Sequence, residues 1–170
     1  EKKVSLDARH TIPQNANVLL IELADGRRGL VDTGCGSAER FDERARALNG
    51  LGPGWPLLEN LAAHHVAPDD ISFVVFTHLH WDHVGWNTRL VDGRWVPTFP
   101  NARYVIARRE YAHWDALHAA GDPSIHCVGF ADSVMPVVRA ERAVLVDDGH
   151  AIEDGVWIEP CPGHTPGNVV

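Results

Sequence analysis

One junction constrains this chain more than any other: the apolar run 71–76 (ISFVVF) passes without a break into Thr77-His78-Leu79-His80-Trp81-Asp82-His83. A short unbroken apolar run reads as a buried strand, and the residues after it emerge into a loop at the strand's end. Three histidines and one aspartate take the spacing H-x-H-x-D-H there. Side chains two apart share a side of extended chain, so His78 and His80 can face one ion. Asp82 and His83 lie just beyond and can turn toward a second. Imidazole and carboxylate are ligands for Zn2+ and its first-row neighbours. A solvated histidine-rich loop would account for any one of these residues, but not for the four together, and the stretch reads as a metal site.

Length and composition bound the rest. At 170 residues the chain reads as one domain, 1–170, large enough for a real core. A hydrophobic share of 45% with 22% charged residues is ordinary for a globular protein. The apolar runs are too short to cross a bilayer, and no basic segment followed by an apolar one opens the chain. The net charge of −8 argues against a nucleic-acid partner, since such binding is driven by Lys and Arg. Cys35, Cys127 and Cys161 form no paired C-x-x-C spacing, which favours a reducing compartment and a cytoplasmic expectation.

In chain order, 17–23 (NVLLIEL) and 29–31 read as strands joined by the Asp25-Gly26 turn. The second leads into Asp32-Thr33-Gly34-Cys35-Gly36, where Asp32 serves either as a turn former or as a carboxylate that orients a ligand histidine. Ser37 reads as the N-cap of a helix to about Leu48, stopped by Asn49-Gly50. Pro56 opens a second helix ending near His65, and His64 and His65 suit its C-terminal end rather than a ligand role. After the histidine loop the chain continues irregularly through Val84-Gly85-Trp86-Asn87. A short hairpin over 90–96 comes next, then a strand over 103–107 and a helix over 108–119. Tyr111, Trp114 and Leu117 make a stripe on that helix, and His113 and His118 fall off a common face. Residues 121–135 show no clear period and read as a long loop with room for one helical turn. Two last strands, 144–146 and 156–159, flank Asp147-Asp148-Gly149.

A second chemical phrase, Cys161-Pro162-Gly163-His164-Thr165-Pro166-Gly167, places one histidine in a loop bounded by Pro and Gly. Such turns hold a side chain at a fixed angle. Paired with the earlier cluster, His164 is the candidate third nitrogen ligand, and Cys161 reads as a small buried residue.

THLHWDHVGWN, the upstream LVDTG and the downstream PGHTPG, in that order, resemble the metallo-β-lactamase superfamily, and the matching phrases run from about Asn15 to Gly167. The resemblance implies an α+β fold, the four-layer αββα sandwich, with the metal site at one edge of the facing sheets. It implies His78, His80 and His164 on one metal and Asp82 and His83 on the other. Trp86-Asn87 and the RWVPTFPNARYV stretch look closest to lactonases and organophosphate hydrolases. The family's bridging aspartate and last histidine would fall beyond Val170, so the resemblance implies a chain lacking the C-terminal portion of the sandwich.

The chemistry implied is hydrolysis of a lactone or another ester. Two divalent ions, zinc or alternatively Fe, Mn or Co, lie about 3.5–4 Å apart and activate a water. Asp82 doubles as ligand and proton shuttle. Trp81, Trp86 and Trp114 are candidate walls of a pocket for a small, uncharged, apolar substrate, with core packing the equal alternative. Organophosphate, thioester and β-lactam hydrolysis are alternatives in the same class. A mononuclear iron sulfur dioxygenase and a non-catalytic module are alternatives outside it.

Overall fold

In the computed structural model, which describes residues 16–40 and 56–170, the apolar run becomes β3 (Ile71–Val75), the middle of a five-stranded sheet. On one side of it lies β2 (Arg28–Val31) and on the other β6 (Arg103–Ala107), both parallel to it. Beyond β6 runs β7 (Ala143–Val146), also parallel, and β1 (Leu19–Glu22) pairs antiparallel with β2 at the opposite edge. The β1–β2 turn closes as its sequence suggests. Asp25 accepts the Arg27 backbone N–H at 3.0 Å, and Gly26 takes a φ of 83°, open to glycine at no steric cost.

Alternation along the strands gives the sheet two apolar faces. Tyr104 and Ile106 of β6 point into one core with Leu30, Val74 and Phe76, and helices cover this side. They are α1 (Leu57–Ala63) through Leu61, α3 (Arg108–Ala119) through Trp114, and the segment 125–139 through Phe130, Val134 and Val137. On the other face Phe73, Val75, Val105, Ala107 and Val146 pack with Ile152, Ile158 and Val169. This side carries a separate hairpin of β8 (Ala151–Glu153) and β9 (Val156–Trp157). Full burial of each large side chain contributes about 1.5–3 kcal/mol, and Phe73, Phe76 and Tyr104 are all at or below 2% exposed. The expected α+β layering is present. No helix among the described residues is long and apolar enough to cross a membrane.

Several expectations are corrected. The supposed long loop over 121–135 is largely helical: α4 (Ile125–Gly129), a π turn at Phe130–Val134 and α5 (Met135–Arg139) run on one another. Ser124 caps α4 by accepting the Cys127 N–H. The π turn puts the apolar residues out of a 3.6 phase, and Gly129 and Pro136 read as breakers. Gly129 answers a contact instead, since a Cβ there would lie 2.8 Å from the Cβ of Trp81. The end of the histidine loop and the irregular stretch Val84–Asn87 are likewise helical, as α2 (Trp81–Val84) followed by the 3₁₀ turn Gly85–Asn87. The short hairpin is β4 (Thr88–Val91) with β5 (Arg94–Pro97). The strand expected over 156–159 is reduced to β9, and its partner β8 was not anticipated. Of the helix expected from Ser37, the 3₁₀ turn Ala38–Arg40 is seen, and the remainder with its Asn49-Gly50 stop lies outside the described residues.

Because β2, β3, β6 and β7 run parallel, their C-terminal ends share one edge of the sheet. Open parallel sheets collect ligand-binding groups at that edge. Asp32 follows β2, Thr77 follows β3 and Glu110 lies in the first turn after β6.

Candidate metal centre

The ends of β2 and β3 are stitched together before any histidine is placed. Asp32 N–H donates to the Val75 carbonyl at 2.9 Å, and Thr33 N–H to the His83 carbonyl at 2.7 Å. In return Thr77 donates twice to Asp32, its backbone N–H to Oδ1 at 2.9 Å and its hydroxyl to Oδ2 at 2.7 Å. Asp32 adopts a left-handed φ of 59°, a conformation that Asp and Asn tolerate better than most residues. Its carboxylate is thereby turned inward under the histidine loop, where it is 4% exposed.

That carboxylate orients two imidazoles. His83 Nδ1 lies 2.7 Å from Asp32 Oδ2, so Nδ1 carries the proton and Nε2 keeps its lone pair. The Thr77 hydroxyl, having given its hydrogen to Asp32, accepts from His78 Nδ1 at 3.1 Å. His78 Nε2 is left as the lone-pair nitrogen, and it is buried without a hydrogen-bond partner. Buried polar atoms are almost always paired, so an orphan of this kind marks a place built for a ligand.

Two more rings converge on the same point. His78, His80 and His164 each offer a nitrogen within 4.8 Å of the others. His80 Nδ1 and His164 Nε2 are 3.0 Å apart. Nitrogens at Zn–N distances of about 2.0–2.1 Å in a tetrahedron are separated by about 3.3 Å, so the donor set fits a divalent ion of this kind. Burial, then the neighbouring imidazoles, push His78 down to about 2 and His80 down to about 3. Both are therefore neutral, the state a ligand requires. His83 differs: burial opposes its charge, but the Asp32 hydrogen bond and the charges of Asp32 and Asp82 outweigh it and raise its pKa.

Among the described residues, Asp82 and His83 stand beside the three histidines as a pair. Asp82 lies in the first turn of α2, its Oδ2 is 3.6 Å from His83 Nε2, and the His83 ring centroid is 4.0 Å from that of His78. The structure thus brings His78, His80 and His164 together, sets Asp82 and His83 next to them and hydrogen-bonds Asp32 beneath. The tryptophans divide. Trp114 is 5% exposed, gives its indole N–H to Glu110 at 2.7 Å and meets His80 edge-on at 5.3 Å, so it backs the histidine loop rather than facing solvent. Trp81 is half-buried against Gly129, and Trp86 is half-buried in the 3₁₀ turn. Cys161, expected to be buried, is exposed. Cys35 is kept as a thiol by burial and by the charge of Asp82.

Three residues were missed. Thr77 links His78 to Asp32. His126, on the unexpected α4, stacks on His80 with centroids 3.9 Å apart, and burial lowers its pKa against the pull of Asp82. Glu110, 2% exposed, accepts hydrogen bonds from both histidine-bearing loops. Thr77 adjoins the motif and was within reach of a local reading. Glu110 offered no local signal, because an acid in a first turn is ordinary helix chemistry.

A sequence model described as the metallo-beta-lactamase superfamily matches residues 11–170. An N-acyl homoserine lactonase of Bacillus thuringiensis is 26% identical over 101 residues, covering 59% of this chain and 32% of the lactonase. A probable metal-dependent hydrolase from Staphylococcus aureus superposes with a TM-score of 0.81 at 20% identity, over 98% of this chain and 56% of that one. The hydrolase AbOPH, of the beta lactamase superfamily, superposes with a TM-score of 0.68 at 26% identity, over 90% of this chain and 50% of that one. The chain thus spans about a third of the curated relative it matches and about half of the two solved chains.

Proposed function

The chain belongs to the metallo-beta-lactamase superfamily, and from that premise we propose that it carries the metal-holding part of a hydrolase that opens a lactone or cleaves another ester. The observation that carries this reading is the buried, unpartnered Nε2 of His78, which lies in one cluster with the facing nitrogens of His80 and His164. The identity to an N-acyl homoserine lactonase favours a lactone over other esters.

His78, His80 and His164 would hold one divalent ion, zinc being the best match to three imidazoles. Asp82 and His83 would hold a second more weakly, since two ligands retain an ion less well than three. A bound ion at such a site lowers the pKa of a water and polarises a carbonyl oxygen. The chain's own residues supply the rest. Asp32 keeps the lone pairs of His78 and His83 aimed inward, directly at His83 and through Thr77 at His78. Asp82, part-exposed beside the cluster, can carry a proton to the departing oxygen. Half-buried Trp81, next to His80 in sequence, would give the approach an apolar side suited to an uncharged acyl group.

The test is metal content after dialysis, for the chain and for His78→Ala, followed by ring opening of an N-acyl homoserine lactone against an aryl ester and a phosphotriester. We expect about one retained zinc-like ion per chain, a second that exchanges readily, and loss of the retained ion in His78→Ala. Failure to retain any divalent ion after loading would overturn the reading. One iron per chain with oxygen uptake and no lactone opening would replace it with redox chemistry.

A further inference from the structure

We propose that Glu110 is a positioning residue that sets the distance between the two histidine-bearing loops, an inference that rests on the metal-site reading above. Its carboxylate is 2% exposed and receives four hydrogen bonds. Oε1 accepts from Leu79 N–H at 3.0 Å and Trp114 Nε1–H at 2.7 Å. Oε2 accepts from the Thr165 hydroxyl at 2.8 Å and Gly167 N–H at 3.0 Å. Leu79 lies between His78 and His80, and Thr165 comes directly after His164. Each oxygen therefore serves one loop, and the carboxylate stands between them.

The geometry leaves this bridge little slack. A carboxylate offers about four acceptor positions, and all are taken, which is what makes a buried carboxylate tolerable without a cation beside it. Glu110 is fixed to the sheet through α3, whose strand β6 pairs with β3, so its backbone cannot follow either loop. The Gly167 backbone packs so closely on it that a Cβ there would fall 2.2 Å from Glu110 N and 2.4 Å from its Cα. Among the described residues the backbones of the two loops are also tied directly, by Val169 N–H to the Thr77 carbonyl at 2.9 Å. That tie lies farther from His164 than the Thr165 and Gly167 contacts do.

The two oxygens differ in one respect that makes the role testable. Both donors at Oε1 are N–H groups and can only donate. At Oε2 one donor is a hydroxyl, which can turn round and accept. In Glu110→Gln the amide nitrogen is therefore tolerated only on the Oε2 side. There the Thr165 oxygen takes its hydrogen, and Gly167 N–H loses its partner. The substitution should free the His164 loop and leave the His78–His80 loop in place.

The experiment compares wild type, Glu110→Gln and Thr165→Val by two readouts: zinc affinity by chelator competition, and amide hydrogen exchange at Leu79 and Gly167 in the metal-free chain. We expect Glu110→Gln to keep its native circular dichroism and to lose about 10-fold to 100-fold in zinc affinity, the range for residues that hold ligands in place. Gly167 should exchange at least about tenfold faster, with Leu79 unchanged. Thr165→Val removes one of the four donors and should show the same asymmetry in weaker form, which decides the matter if Glu110→Gln does not fold. Equal acceleration at both amides would show a purely structural carboxylate and overturn the proposal, as would unchanged zinc affinity in a folded variant. Should wild type itself hold no zinc, the metal reading fails on its own, and the exchange contrast still decides whether Glu110 spaces the loops.

Discussion

Replacing Asp32 by Asn changes one atom and should reverse two imidazole tautomers. Asn keeps the size of the side chain and tolerates the φ of 59°. Thr77 N–H, which donates to Oδ1 at 2.9 Å, can only donate and so holds the amide oxygen on that side. The amide nitrogen then takes the place of Oδ2, where it faces His83 Nδ1 and the Thr77 hydroxyl, now at 2.7 Å each. His83 must accept at Nδ1, and its proton moves to Nε2, the nitrogen nearest Asp82. The Thr77 hydroxyl accepts from the amide and turns its own hydrogen toward His78 Nδ1. The His78 proton then moves to the buried Nε2 that would hold the metal. Restoring the ligating tautomers means facing donor against donor, and each displaced hydrogen bond to a charged group amounts to about 1.5–3 kcal/mol. One of the three histidines of the first site is affected, so zinc affinity should fall about 10-fold to 100-fold, or about 1.4–2.7 kcal/mol. Chelator competition gives the affinity, and nitrogen-15 spectra of the imidazoles give the tautomers directly. A folded Asp32→Asn chain that binds zinc within about threefold of wild type, with His78 still protonated at Nδ1, would refute the relay and leave Asp32 a turn former.

Thr77→Val severs the His78 half of the relay but leaves Asp32 on His83, so it should weaken zinc binding by less than Asp32→Asn and leave the His83 tautomer unchanged in the same spectra. Gly129→Ala drives a methyl to within 2.8 Å of the Trp81 Cβ and should destabilise the chain by about 1–3 kcal/mol, read as a lowered thermal midpoint. The metal-free chain should lose stability on acidification. His78 and His80 stay neutral in the fold, at about 2 and about 3, but take up protons when unfolded below about 6.5. Each then contributes up to about 1.4 kcal/mol of lost stability per pH unit. His83, with its pKa raised, binds its stabilising proton above this window and adds no slope below about 6.5. A thermal midpoint that is flat between pH 6.5 and pH 4.5 would contradict this.

What could be read from the sequence is what is local. The H-x-H-x-D-H spacing, the Asp25-Gly26 turn and the helix over 108–119 depend on neighbours in the chain, and each is found where its spacing puts it. His164 and Asp32 were legible as side chains held in glycine- and proline-bounded turns at strand ends. Glu110 was not, because its partners lie 31, 55 and 57 positions away and one 4 positions away inside an ordinary helix. The helical stretch 125–139 was hidden for a different reason: its π turn breaks the period by which helices are recognised, and Gly129 serves a contact with Trp81 that no local pattern shows. Cys161 directly follows Pro160, which pairs with Val169, and is exposed there, so its small, apolar character did not decide its burial.

The parallel order of β2, β3 and β6 governs when a metal can enter as the chain folds. His78 and His80 are adjacent at once, but His164 stands 84 positions from His80. Asp32 reaches His83 across 51 positions. Contacts so distant form late, after the crossovers that align the strands. An ion therefore cannot nucleate this chain in the way it nucleates a small zinc finger. Captured only once the sheet edge exists, it acts mainly on the way out. Zinc should leave the refolding rate nearly unchanged and slow unfolding by most of its binding energy, so metal bound here lengthens the life of the fold without hastening its birth.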